Sequence, residues 1–298
     1  MSRQDKPLDR PETWIAADLQ GATCRLWAMS GRSIKARNQV TLPGGIADPA
    51  LAETYVDLCH MLGARADLPL IACGSALTPP QPVPARPDHL SPASVHDSAA
   101  MALPQEASLY VTPGLIQKSP PAAMQGAETR IRGFLSLNPG WDGVLCLPGE
   151  TTHWALISAD EVVSFQSFLT VGLVEATLQM LGLKDADWSS QRFNDSLADT
   201  LSRPELTGAR LAEAKAAFTV ATHLAADSAG QIWGALLGAE LAAARAYWLG
   251  QNLAVIGSDR FLRPYETALR TQAIPVTVAD EERMTVAGLT EAWRQMAG

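Results

Sequence analysis

The chain has 298 residues, 47% of them hydrophobic and 18% charged, the composition of a folded protein with room for two domains of ordinary size. A formal net charge of −8 excludes a general nucleic-acid or anionic-membrane surface, both of which need a basic patch, so an anionic ligand has to be met by local groups. Cys24, Cys59, Cys73 and Cys146 are scattered through apolar stretches without metal-ligand spacing and read as buried, reduced thiols. The N-terminal stretch 1–13 lacks the apolar centre of a signal peptide, and the most apolar later segment, 232–249, is interrupted by Glu240 and Arg245. The expectation is a cytoplasmic protein without a membrane span.

The stretch 14–29 is an apolar run, a Gly-x-Thr turn and a second apolar run closed by Trp27, which predicts a strand hairpin, and 33–41 adds a third strand. Leu51, Tyr55, Leu58, Cys59 and Leu62 have helical spacing over 50–64, and 70–75 is a short buried strand ending at Gly74. Prolines 79, 80, 82, 84, 87 and 92 predict an extended surface loop. A strand follows at 109–114 and a helix over 124–137. The stretch 144–157 is a weaker copy of the first hairpin, completed by a strand at 161–169. Helices are predicted over 171–181, 187–201, 205–226 and 228–249, then a strand at 253–258, a helix at 260–271, a strand at 274–278 and a helix at 281–296. Strands, helices and strands in both halves predict two α/β domains around a cleft, 1–118 and 119–280, with the last helix packing on the first.

A glycine turn presents backbone N–H groups to an anion, and two such turns facing one another hold a polyphosphate from both sides. Asp18, at the end of the first strand, is then placed to hold Mg²⁺ directly or through water. The plain alternative is a pair of ordinary hairpins with turn glycines.

Five motifs recur in order across nearly the whole chain. They are Asp18-Leu-Gln-Gly-Ala-Thr-Cys-Arg25-Leu-Trp27, Cys73-Gly-Ser75, Pro113-Gly-Leu115 with Met124-Gln-Gly-Ala-Glu-Thr-Arg130, Leu147-Pro-Gly-Glu-Thr-Thr-His-Trp154, and Gly234-Ala-Leu-Leu-Gly-Ala-Glu240 with 257–265 after it. This order resembles the 2-dehydro-3-deoxygalactonokinases of the actin, hexokinase and Hsp70 ATPase superfamily. That family has Asp-Trp-Gly-Thr/Ser-x-x-x-Arg-x-Trp, a strand ending in Gly-Ser, Pro-Gly-Leu, Met-Arg-Gly-Glu-Glu-Thr-Gln, Leu-Pro-Gly-Thr-His-Ser-Lys-Trp and Gly-Leu-Leu-Ile-Gly-Ala-Glu. The resemblance implies an α/β fold of duplicated actin-like ATPase (ribonuclease H-like) domains around a nucleotide cleft. It further implies ATP and Mg²⁺ as cofactors and a small-molecule sugar acid as partner, with no nucleic acid and no membrane; a homodimer is compatible with it.

Carried over residue by residue, the resemblance puts Asp18 at the metal, and Gly21, Thr23, Gly149, Thr151 and Thr152 at the phosphate turns. It puts Gly257 at the adenosine, Arg25 beside the phosphoryl group and Glu128 as the surviving base. The departures touch the same places. The family's first turn glycine is Gln20 and its hydroxyl residue Ala22, the carboxylate directly after Gly126 is Ala127, the lysine of the second turn is His153, and Thr-Gly-Glu becomes Thr170-Val171-Gly172. The Gly-Trp-x-Glu-Ala-Pro-Tyr segment is replaced by the proline loop.

Two readings follow. In one the chain transfers the γ-phosphoryl of Mg-ATP to a 2-keto-3-deoxy sugar acid, with Glu128 as a displaced base; in the other it is a catalytically degenerate relative that binds nucleotide or sugar acid without turnover. Structural alternatives stand beside the individual residues: an ion pair for Arg25, a plain strand position for His153, a buried partner for Glu240, and close helix packing for Gly234 and Gly238.

Overall fold

A computed structural model describes residues 12–21, 23–95, 102–184 and 186–296, so the readings of Ala22 and of most of the N-terminal stretch fall outside it. The chain divides into two compact units, one of residues 1–141, 159–163 and 281–298, the other of 142–158 and 164–280.

In the first unit β1 (Thr13–Asp18), β2 (Thr23–Ser30) and β3 (Ser33–Thr41) form the expected antiparallel meander, α1 (Pro49–Met61) follows, and β4 (Leu70–Cys73) runs parallel to β1. Next come β5 (Gln81–Pro82), β6 (Ala93–Val95), β7 (Leu109–Val111), the hairpin of β8 (Leu115–Lys118) and β9 (Pro121–Met124), and α2 (Ala127–Leu137). The main sheet has the order β3-β2-β1-β4-β7-β6, and β5-β8-β9 form a small second one. β1 is buried on both faces because helices cover both. Ile15 and Ala17 pack with Leu51, Tyr55 and Leu58 of α1. Trp14 and Ala16 pack with Val286, Leu289, Ala292 and Trp293 of the last helix, α9 (Glu281–Gln295), and the rings of Trp14 and Trp293 stack at 5.5 Å.

Three expectations change here. The helix expected from residue 124 starts at Ala127, because 115–124 pair as a hairpin. The proline segment is not wholly irregular: Gln81 and Pro82 pair with β8, and 87–89 form a 3-10 turn. The division expected after residue 118 instead falls after Trp141, because α2 locks onto α9. The two helices approach through Gly133 and Gly288. A methyl group on Gly133 would overlap the Met284 carbonyl, and one on Gly288 the Thr129 carbonyl.

The second unit contains β10 (Gly143–Leu147), β11 (Thr152–Ser158), most of β12 (Glu161–Phe168), α3 (Thr170–Met180), α4 (Ser190–Ser202), α5 (Thr207–Val220), α6 (Ala225–Ala243) and α7 (Arg245–Trp248). It closes with β13 (Leu253–Gly257), α8 (Asp259–Thr271) and β14 (Val276–Asp280), in a sheet of order β12-β11-β10-β13-β14. The long helix read over 228–249 breaks at Ala244. Gly230, Gly234 and Gly238 line the face of α6 that meets α4, where added methyls would strike the Ser189 carbonyl, the Phe193 carbonyl and Thr200 Oγ1. These glycines serve helix packing.

Gly288→Ala should lower stability by about 1–3 kcal/mol, the cost of overpacking a close-packed contact. Gly208→Ala on α5, where nothing stands within 4 Å of the new methyl, should be neutral or stabilising. Urea-unfolding midpoints of the two variants check both, and equal midpoints would refute the assigned role of the α2–α9 contact.

Candidate active site

Asp18 is the last residue of β1, and the antiparallel register sets Arg25 of β2 directly opposite it. Their side chains therefore share a face, and Arg25 Nη2 donates to Asp18 Oδ2 at 2.6 Å. The first turn of α2 brings Arg130 to the same oxygen at 3.4 Å, and Arg130 Nη2 also reaches Glu281 Oε1 at 2.7 Å and Gln20 Oε1 at 2.5 Å. Arg25 completes the square, 3.4 Å from Glu281 Oε1. Two carboxylates and two guanidinium groups thus neutralise one another in a nearly buried cluster. Burial alone would lower the pKa of Arg25, but Asp18 and then Glu281 outweigh it and hold the guanidinium charged.

Behind the cluster three backbone segments converge. Gly74 (φ 80°) and Gly126 (φ 93°) are both left-handed. A Cβ on Gly74 would stand 2.9 Å from the Gln20 nitrogen and 3.1 Å from Asp18 Oδ1, and one on Gly126 would stand 3.2 Å from the Gly74 Cα. Only glycine fits such a contact at positive φ.

Glu128 lies beside this cradle and is 1% exposed. Its Oε1 accepts the Gly126 N–H at 2.9 Å and the Thr129 hydroxyl at 3.2 Å, so it closes the N-terminus of its own helix. Its Oε2 has no partner among the described residues. Burial pushes its pKa up to about 7 against those hydrogen bonds and Arg130.

In the second unit Gly149 and Thr151 lie in the β10–β11 turn, and the Gly172 N–H donates to the Glu150 carbonyl at 3.3 Å. Thr152 does not offer its hydroxyl to that turn. It is fully buried and hydrogen-bonded to Tyr265 Oη at 2.7 Å, in a network where Tyr265 Oη (2.9 Å) and Trp154 Nε1 (2.7 Å) donate to Glu240. Burial lifts the Glu240 pKa to about 7. His153 is a buried strand residue whose Nδ1 meets Ser167 Oγ at 2.8 Å. Gly257 ends β13, where an added Cβ would stand at an ordinary 3.7 Å from Leu262, and Ser258 leaves the first turn of α8 without a side-chain cap. Gly21 (φ 75°) has open space beside it, and Thr23 begins β2 exposed.

A glycine turn with open space beside it, as at Gly21, leaves room for an anion at its backbone N–H groups. A resident divalent cation fits less well. Asp18 Oδ2 is taken by two guanidinium groups and Oδ1 by the Gln20 N–H at 3.3 Å and the Cys73 thiol at 3.8 Å. Among the described residues no group of His, Cys, Asp or Glu side chains is arranged as a metal cage. As a direct Mg²⁺ ligand Asp18 does not fit this arrangement.

The family model of the 2-keto-3-deoxy-galactonokinases matches residues 20–292. The chain belongs to that family. It is 29% identical over 252 residues, 78% of this chain and 80% of the other, to a Rhizobium meliloti protein named as a probable 2-dehydro-3-deoxygalactonokinase. A solved Sinorhizobium meliloti protein with the same provisional assignment superposes with a TM-score of 0.81 at 24% identity, over 95% of this chain and 96% of that one. The activator of the 2-hydroxyisocaproyl-CoA dehydratase from Clostridium difficile, solved with bound ADPNP, superposes with a TM-score of 0.54 at 8% identity over 95% of each chain. The fold is that of the actin-like ATPases, and the family is one of kinases.

Measured against the family motif, two further residues of the cluster come to light. Arg130 stands where the motif has glutamine, and it is bonded to Gln20, which stands where the motif has glycine. The motif comparison displays both changes, but only the fold shows that they touch. Glu281 carries no motif signal; its position follows from α9 covering β1.

A carboxyl group whose folded pKa lies above its unfolded value keeps its proton longer in the folded state, so stability falls as pH rises from about 4.5 to about 7 and levels off above. Glu128→Gln removes that loss. The variant should gain on the wild type by on the order of 1 kcal/mol per pH unit across this window. Urea denaturation at pH 5, 6, 7 and 8 measures the gap, and a gap independent of pH would show that Glu128 is not held protonated.

Proposed function

We propose that this chain is an ATP-dependent kinase acting on a 2-keto-3-deoxy sugar acid, with 2-dehydro-3-deoxy-D-galactonate as its substrate, in the cytoplasm. Family membership supplies the reaction class, and the observation that carries the site is the pair of guanidinium groups, half-buried Arg25 and buried Arg130, that meet on Asp18 at the end of β1. Phosphoryl transfer depends mainly on positioning and on neutralising charge. Arg25 and Arg130 supply N–H donors held in place by Asp18 and Glu281, and the Gly21 turn of the first unit and the turn at Gly149 and Thr151 of the second each carry backbone N–H groups of the kind that bind phosphate. Gly257 leaves room for the adenosine. Mg-ATP is the substrate form, and Asp18 orients the two arginines. Glu128, with a pKa near 7, has the proton affinity of a general base at neutral pH. In this reading the sugar hydroxyl meets it at Oε2, the oxygen without a partner among the described residues.

The second reading, binding without turnover, draws on one observation. Ala127 occupies the family's base position, and Glu128 is sealed at 1% exposure.

ADP release from Mg-ATP, with and without 2-dehydro-3-deoxy-D-galactonate, separates the two. The kinase reading expects release that depends on the sugar acid and falls by about 10²–10⁴-fold in Glu128→Gln. Folded wild-type protein that binds ATP by calorimetry yet releases no ADP would replace it with the binding reading.

A further inference from the structure

A second cluster of cations lines a cavity of about 420 Å³ in the first unit, at the C-terminal half of α2. Its wall includes Arg32 from the β2–β3 turn, Arg86 beside the 3-10 turn, Arg132 of α2 and Arg294 of α9. Three of these arginines are answered. Arg86 forks onto Asp88 at 3.2 and 3.2 Å and reaches Asp160, also on the wall, at 3.6 Å; Arg294 Nη1 contacts both Glu291 oxygens at 3.0 and 3.1 Å, and Arg32 reaches Glu291 at 3.8 Å. Arg132 is not. It is only 4% exposed, its Nη1 donates to the Leu90 carbonyl at 3.1 Å, and its Nε has no partner among the described residues. Asp88 and Glu291 act on it only from a distance, and burial draws its pKa down to about 10, so it stays cationic at neutral pH.

A buried cation without a counter-charge is costly, and a structural arginine on a cavity wall ordinarily has a carboxylate beside it. Here the cavity itself adjoins the unpaired charge, and its volume is that of a small-molecule site. Guanidinium forks match the oxygen pairs of phosphate and carboxylate. The apolar part of the wall, Leu135, Leu137 and Pro139, gives room for the carbon frame of a ligand.

We propose that this cavity is an accessory site for a small organic anion, a sugar phosphate or a sugar carboxylate, with Arg132 as the buried counter-charge and the rim arginines opening from their carboxylates to grip it. The site shares α2 with Glu128, so an occupant would bear on the helix whose first turn lies in the candidate active site.

Isothermal titration calorimetry with D-glucose 6-phosphate and with D-gluconate tests this on four proteins: wild type, Arg132→Gln, the rim double variant Arg32→Gln/Arg294→Gln, and Asp18→Asn. The expected result is binding of at least one probe to the wild type, weakened about tenfold or more in Arg132→Gln and about three- to tenfold in the rim variant, and unchanged within about twofold in Asp18→Asn. The stronger probe tells whether phosphate or carboxylate is preferred. No heat with either probe overturns the proposal. So does binding that survives in both arginine variants, or that is lost only in Asp18→Asn, which would place the anion in the cluster already described. If circular dichroism shows Arg132→Gln unfolded, the rim variant decides: unchanged affinity there overturns the site, and weakened affinity supports it.

Discussion

The first unit is organised around the exchange of charge among Asp18, Arg25, Arg130 and Glu281. Each residue comes from a different element, β1, β2, α2 and α9, so the cluster forms only when the strand register and both helix positions are correct. Removing one member would leave a buried charge without its partner, which typically costs about 3–5 kcal/mol, more than most single contacts contribute. Glu281 and Glu282 also sit in the first turn of α9, where negative charge is favoured by the helix dipole. Glu282 accepts from Trp27 Nε1 at 3.0 Å and pairs with Arg37 at 3.5 Å, so the same turn ties α9 to β2 and β3. A helix from the end of the chain is thereby fixed to its first strands at both levels, through charge at its start and through the stacked Trp14 and Trp293 further along.

Glycine makes the cluster sterically attainable. Gly133 and Gly288 let α2 and α9 approach until backbone meets backbone, which sets where Arg130 and Glu281 stand. Gly74 and Gly126 let the end of β4 and the start of α2 close on Gln20 and Asp18. In the second unit Gly230, Gly234 and Gly238 do the same for α4 and α6. There the buried polar centre is Glu240 with Trp154, Tyr265 and Thr152, a network in which both carboxylate oxygens are satisfied.

The hairpins, the meanders and most helices were legible because their apolar runs and turn glycines are local signals. What escaped was set by contacts distant in sequence. The β8–β9 hairpin, Leu-Ile-Gln-Lys paired with Pro-Ala-Ala-Met, has no alternation of apolar and polar residues, so only its pairing reveals it. Thr152 read as a phosphate-turn residue because it follows a glycine turn, yet its hydroxyl is drawn inward by a tyrosine 113 residues away. The placement of residues 119–141 depends on a glycine contact with the last helix, which no local pattern announces. Arg25 opposite Asp18 was the readable part of the site, since a tight hairpin turn fixes the register and the register fixes the pair.

The departures from the family motif are not independent losses. Gln20 would have no reason to extend over Gly126 without a donor there, and Arg130 supplies it at 2.5 Å. Arg130 in turn would add an unmatched charge beside Arg25 were Glu281 not within 2.7 Å. Random decay of a site tends to leave such groups unpaired, whereas these changes satisfy one another. Two atoms nevertheless stay unpartnered among the described residues of the first turn of α2, the acceptor Glu128 Oε2 and the donor Arg130 Nε. Buried orphans of this kind are uncommon in a pure scaffold, where an apolar side chain would serve at lower cost. An acceptor and a donor left open within one turn, next to a glycine cradle and a fixed pair of guanidinium groups, form a surface that a polar ligand would complete in the proposed reading. Both functional readings require that surface, and they differ only in whether Glu128 meets the ligand as a base or remains the cap of its helix.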